Sequence, residues 1–228
     1  MAYRCPIDPE TFRKYESQTK KAMESLELIL ANFEAIKEWS EIEKWIRRIK
    51  RVVKEFHTPF IPNRALLFRR LSQCLSLSFP DGIHKHVFEI YTQILENMQT
   101  SPENCLNDMF YITQGLFPHY RGCSVQMKPP IFDIFEKYII SMGETTGMMV
   151  PALIETLAPP LTQNNEAVQK RTFAFFDRIG KIFPEAFLFC TLWMVLLRSP
   201  KSRYGLLKYM TAYLVRQEKI QQGEIVDD

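Results

Sequence analysis

Residues 39–56 read WSEIEKWIRRIKRVVKEF, and the spacing of their apolar members decides the fold. Ile42, Trp45, Ile46, Ile49, Val52, Val53 and Phe56 recur at intervals of three, four and seven. At ~100° per residue these positions make one stripe along an α-helix, whereas a strand would alternate by two. The lysines and arginines fall roughly opposite the stripe, so the stretch predicts a helix with one dry and one wet face. The helix stops before Pro59, and Pro62 can begin the next one.

The same period extends in both directions. Asp8-Pro9 is an N-cap followed by a first-turn proline, and Phe12, Tyr15, Ala22, Leu26, Ile29 and Phe33 follow on one face. After Pro62, a third helix runs through Ala65, Leu66, Phe68, Leu71 and Leu75, and a fourth begins at Gly82 with Asp81 as its expected N-cap. A fifth opens at Ser101-Pro102 and closes near LFPHYRG; a sixth covers 125–140 with Pro129-Pro130 near its start, where proline is tolerated. Four more are expected at 150–158, 166–183, 185–197 and 202–219, before a polar, frayed tail at 221–228. Only 8 of the 228 residues are glycine and no convincing strand appears. Taken in pairs, the helices start near 9, 62, 102, 150 and 185, steps scattered about the ~40–47 residues of HEAT and armadillo repeats. The expectation is all-α: an irregular α-solenoid of about ten helices in a single domain over 1–220, with a globular bundle as the alternative.

Composition narrows the setting. Hydrophobic residues make up 46% and charged residues 24%, ordinary for a folded chain. The five cysteines are odd in number, widely spaced and without a C-x-x-C pair, there is no N-x-S/T sequon, and the opening residues are too polar for a signal peptide, so a cytosolic setting is expected. The longest apolar run, AFLFCTLWMVLL at 186–197, spans ~18 Å as a helix against ~30 Å of hydrocarbon, so it is expected in a protein core.

No Walker A loop, G-x-G-x-x-G, G-x-S-x-G or H-E-x-x-H is present, and no cofactor, metal or catalytic residue is expected. His84 and His86 stand two apart, about 200° round a helix, so they cannot turn one face to a shared metal. His57 and His119 sit beside loops with no visible partner. The basic cluster is stronger. Lys44, Arg47, Arg48, Lys50, Arg51, Lys54, Arg64, Arg69 and Arg70 are set against Glu55 alone, a local +8 in a chain whose total is +3. Its bland reading is a solvated face. Its functional reading is an anionic partner, acidic lipid headgroups or an acidic protein segment. A second basic group, Arg198, Lys201, Arg203, Lys208, Arg216 and Lys219, closes the chain. No aromatic-basic stacking pattern accompanies either, so nucleic acid is not expected.

The run RRLSQCLSLSFPDGIHKHVFEIYTQIL, from Arg69 to Leu95, resembles the N-terminal domain of the Dopey family. The likeness continues, in order, through FEAIKEW, GLFPHY, VQMKPPIFDIFEKYII, RTFAFFDRIG and TLWMVLLRSP with Arg203. One departure is Tyr204-Gly205, where the family usually has Leu-Pro. The resemblance implies a non-enzymatic scaffold in vesicle-mediated protein transport, cytosolic and peripheral on Golgi and endosome membranes. The partners it implies are a large Golgi scaffold related to Arf exchange factors, an aminophospholipid flippase and, for some members, kinesin light chain, with contact to phosphatidylinositol 4-phosphate. Trp39 in KEWSEIE is superficially like the tryptophan-acidic peptides that kinesin light chains read, but its place between two helices favours packing. Two other functions stay open beside a lipid-binding adaptor: a pure protein–protein scaffold and a nucleic-acid-binding helical repeat.

Overall fold

The computed structural model describes residues 9–36, 38–55, 60–100, 106–162 and 165–222. They hold ten α-helices and no strand. In order these are α1 Pro9–Ala31, α2 Trp39–Glu55, α3 Arg64–Cys74, α4 Asp81–Met98, α5 Leu106–Gly122, α6 Lys128–Ile134, α7 Val150–Leu157, α8 Glu166–Ile182, α9 Glu185–Arg198 and α10 Arg203–Gln221. The expected all-α class is what the structure has. Asp8, Phe56 and the 101–105 stretch lie outside the described residues, as do His57 and most of the tail.

The described residues gather into two compact units, Met1–Thr146 and Gly147–Asp228. In the first, α1 packs on α2, then alternate helices stack, α2 on α4 and α3 on α5. That stacking is compatible with the irregular solenoid expected from the sequence. The stripe of α2 drives it: Ile42, Trp45, Ile46, Ile49, Val52 and Val53 are all buried. Trp45 adds direction, since its indole Nε1 donates to the Ile29 carbonyl at 2.9 Å and its ring meets Phe33 edge-on at 4.7 Å. A buried Trp N–H needs such an acceptor, and this one fixes α2 against the end of α1.

Helix boundaries depart from expectation where local chemistry competes. Pro62 does not open α3; Asn63 precedes the helix with φ 51°, a left-handed conformation that Asn tolerates better than most residues. Asp81 is not the N-cap of α4. Pro80 holds that position, extended at ψ 148°, and Asp81 is already in the first turn, where its charge faces the helix dipole. The expected sixth helix is helical throughout but changes gauge: a 3-10 turn at Val125–Met127, α6, then a π turn at Phe135–Ile139. The following 3-10 stretch, Ile140–Met149, is broken at Gly143, whose φ of 65° suits a residue without Cβ.

In the second unit α7 packs on α9, α10 packs on α9 and on the 3-10 turn Pro159–Thr162, and α8 touches the same turn, α7 and α9. Phe175, Phe176, Leu188, Leu192, Leu206 and Tyr209 are at its core. The 186–197 run corrects an expectation. It is buried on one side only, while Trp193 is 49% and Leu197 68% exposed. An apolar composition places a helix in a core only where neighbours cover its whole circumference, and among the described residues they do not.

Candidate cationic site

The basic residues of 44–70 divide by helix phase. Lys44, Arg48 and Arg51 are spaced four and three apart on the side of α2 opposite its buried stripe; all are exposed. None of the three has an ion pair among the described residues, and neither do Lys54 and Arg69, also exposed. Arg47 pairs within its helix with Glu43 at 2.5 Å. Lys50 reaches across to Glu89 of α4 at 2.6 Å, and Glu89 also accepts from His86 at 3.2 Å. The Lys50 hydrogen bond holds the Glu89 carboxyl below its ordinary range. Beside this pair a groove of about 610 Å³ opens between α2, α4 and α6, lined by Lys50, Lys54 and Lys85 together with Glu89, Glu96 and Asp133. Its charge is mixed.

Two of the three arginines of α3 behave differently: α3 packs chiefly on α5 and also on α4 and α1. Arg64 pairs with Asp108 of α5 at 2.6 Å. Burial pushes the Asp108 carboxyl above its ordinary value, and the Arg64 charge offsets part of that. Arg70 is buried: its guanidinium donates to Glu34 at 2.5 Å and to Gln73 at 3.0 Å, and it lies 5.0 Å from the centre of the Phe33 ring. Four of the nine basic residues thus have carboxylate partners, and the local excess of positive charge is carried by the α2 strip and Arg69 of α3.

The second basic group lies in the second unit, and half of it is engaged. Arg216 grips Asp177 with two bonds of 2.7 Å, Lys208 donates to Gln169, and Arg203 donates to the Leu196 and Leu197 carbonyls.

The histidines yield a pair that the sequence did not disclose. His84 is buried and His86 half-exposed, as their spacing implies, but His84 meets His119 of α5 with ring centres 4.4 Å apart. Each ring donates to the turn after α3, His84 Nε2 to the Ser76 carbonyl at 2.9 Å and His119 Nδ1 to the Leu75 carbonyl at 2.7 Å. His119 therefore sits inside a helix with a firm partner, not beside a loop without one. No signal marks it in sequence, because its acceptor is a backbone carbonyl 44 residues away. Among the described residues no group of three or more metal-ligating side chains converges. Cys74 is a buried thiol whose pKa burial pushes up to about 12, a small hydrophobe rather than a nucleophile. No described helix is long and apolar enough to cross a membrane.

Fold and site together define an all-α protein presenting one cationic helix face to solvent. Comparison with known proteins then places it. The family profile described as "Dopey, N-terminal" matches residues 13–226. The chain is similar to protein pad-1 of Caenorhabditis elegans, 30% identical over 203 residues, covering 88% of this chain and 8% of that protein. It is 26% identical to protein DOP1B of Mus musculus, over 84% of this chain and 8% of the relative. It is 22% identical to protein DOP1 of Saccharomyces cerevisiae, over 90% and 13%. No solved structure matches. The chain belongs to the Dopey family and corresponds to about a tenth of the length of these relatives.

Proposed function

We propose that this chain is a non-enzymatic adaptor module of endosome–Golgi membrane traffic that docks on acidic, phosphoinositide-bearing membrane through α2. Membership of the Dopey family supports the trafficking part. The observation that carries the membrane part is the strip Lys44, Arg48 and Arg51, exposed and without ion pairs among the described residues. Near an anionic bilayer each such cation contributes about 1 kcal/mol, so three supply roughly 100-fold in affinity, and Arg47 and Lys54 flank them. The protein would then sit peripherally on Golgi and endosome membranes. Its protein partners would be the Arf-exchange-factor-related scaffold, the flippase and kinesin light chain implied by family likeness.

Vesicle co-sedimentation with and without phosphatidylinositol 4-phosphate tests this. Reversing Lys44→Glu, Arg48→Glu and Arg51→Glu together should abolish binding, and raising salt should weaken it steeply. Equal sedimentation of wild type and the triple variant would remove the lipid. A second reading, a protein–protein scaffold, draws on the mixed-charge groove beside Lys50 and Glu89. It predicts partner capture that survives the triple reversal.

A further inference from the structure

The groove beside Lys50 and Glu89 crosses three parallel helices. Contacts between them advance together along each axis. From α2 to α4, Lys50 meets Glu89 and, further on, Asn97 donates to the Val53 carbonyl at 3.5 Å. From α4 towards α6, Ser124 donates to Asp81 at one end and Gln99 donates to Ser141 at the other. Packed helix axes lie ~8–10 Å apart, so the path from α2 to α6 is about 18 Å, roughly five or six residues of extended chain. Phe88, Pro130 and Ile134 give the groove an apolar floor, and Thr92 and Gln93 put hydrogen-bonding groups at its middle. Its far wall includes the π turn Phe135–Ile139, whose consecutive residues Lys137 and Tyr138 both line the groove. Single π turns within α-helices are rare and recur at functional sites.

The charges of the groove divide into engaged and available. Glu89 is held by Lys50 and His86, and Glu96 accepts from the Tyr138 hydroxyl at 2.7 Å and from Gln93 at 3.4 Å. Asp133 is engaged as well. Lys54 and Lys85 are exposed and have no ion pair among the described residues, and the exposed Lys137 ammonium lies over the Tyr138 ring, 4.8 Å from its centre. The acids are therefore occupied within the fold, and each wall still offers a partner one ammonium group: Lys54 from α2, Lys85 from α4 and Lys137 from the π turn. A lipid headgroup or a free phosphate would use the ammonium groups and leave the apolar floor empty. We propose that the groove binds an extended acidic segment of a partner protein, with an apolar side chain on the Phe88–Ile134 floor and carboxylates at Lys54, Lys85 and Lys137. This rests on the protein–protein reading above and gives that partner its chemistry.

Fluorescence anisotropy of the full chain tests it, with a fluorescein-labelled heptapeptide of one leucine flanked on each side by three glutamates. At about 100 mM salt the wild type should bind it with a dissociation constant of about 100 µM or below. The same peptide with glutamine for glutamate should bind at least about 10-fold more weakly. Lys54→Gln with Lys85→Gln should weaken binding about 10-fold. Thr92→Trp, which fills the groove and leaves every charge in place, should weaken it by at least about 10-fold while vesicle binding through α2 stays within about 2-fold. The lysine pair is exposed, so it keeps the test decisive should Thr92→Trp fold poorly by circular dichroism. No saturation by about 1 mM overturns the proposal. So does equal binding of the glutamine peptide, or binding indifferent to the groove variants. Loss of phosphatidylinositol 4-phosphate vesicle binding in a folded Thr92→Trp chain also overturns it and assigns the groove to a headgroup. The two readings fail separately: the peptide titration decides the groove, whereas loss of partner capture under the triple α2 reversal decides the scaffold reading alone.

Discussion

Helices α2 and α3 carry basic residues at similar density, and Lys44, Arg48 and Arg51 of α2 contrast with Arg70 of α3. On α2 they stand out of phase with the apolar stripe, so Lys44, Arg48 and Arg51 face water. On α3, Arg70 lies three residues after Leu67 and four before Cys74, inside the buried face, and its charge is met by Glu34, Gln73 and Phe33. Phase relative to the apolar stripe, not proximity in sequence, decides whether a charge is available to a partner.

The sharpest way to break that contrast is to exchange the losses. The triple reversal on α2 should cost at least about 3 kcal/mol of membrane binding and leave the melting temperature within about 1 °C, since exposed unpaired charges add little to folding. Arg70→Ala should do the reverse. It should lower stability by about 2 kcal/mol in urea titration, through lost charge-assisted hydrogen bonds and packing on Phe33, with vesicle binding unchanged. If Arg70→Ala lost binding without losing stability, the division between the two helices would fail.

Smaller effects probe the surroundings of α3 by pH. Burial, then the neighbouring His84, lowers the His119 pKa beneath its ordinary 6.5. The unfolded chain therefore takes up this proton first, and the stability it contributes is present above pH 6.5 and lost as pH falls through the folded value. Thermal melts should show that decline, and His119→Gln, which keeps a donor but does not titrate, should flatten it. Asp108 has the opposite sign. Its folded pKa is raised above the ordinary 3.8, so stability is greatest below 3.8 and falls as pH rises through the folded value. Asp108→Asn should gain on the wild type as pH rises above 3.8, by the same measurement.

The smallest effect belongs to α2. Glu89, lowered from its ordinary 4.5 chiefly by the Lys50 hydrogen bond, contributes stability above 4.5 that is lost as pH falls through the folded value. Both partners are substantially exposed, so Glu89→Gln should cost under about 1 kcal/mol at pH 7.

Helix existence was legible almost everywhere, because a stripe such as Ile42 to Val53 is a local signal that tertiary packing reinforces. Boundaries were less so: whether Pro62 or Arg64 opens α3 turns on the left-handed Asn63. The cationic strip could be read from α2 alone. Its separation from Arg64 and Arg70 could not, since Glu34 and Asp108 arrive from segments 36 and 44 residues away. The 186–197 run misled for a related reason. Hydrophobicity measures what a helix prefers, and only the number of neighbours measures what it receives.

Gly205 shows how the absence of a side chain sets a distance. A Cβ there would stand 2.6 Å from the Ala158 carbonyl oxygen and 2.7 Å from Leu161 Cβ, so α10 rests on the Pro159–Thr162 turn closer than any side chain allows. A chain with any other residue at this position must hold α10 out by about 1 Å. Tyr204, its exposed neighbour, would move with it. One hydrogen atom in place of a methyl thus works as a spacer gauge that sets where this helix presents its outer face.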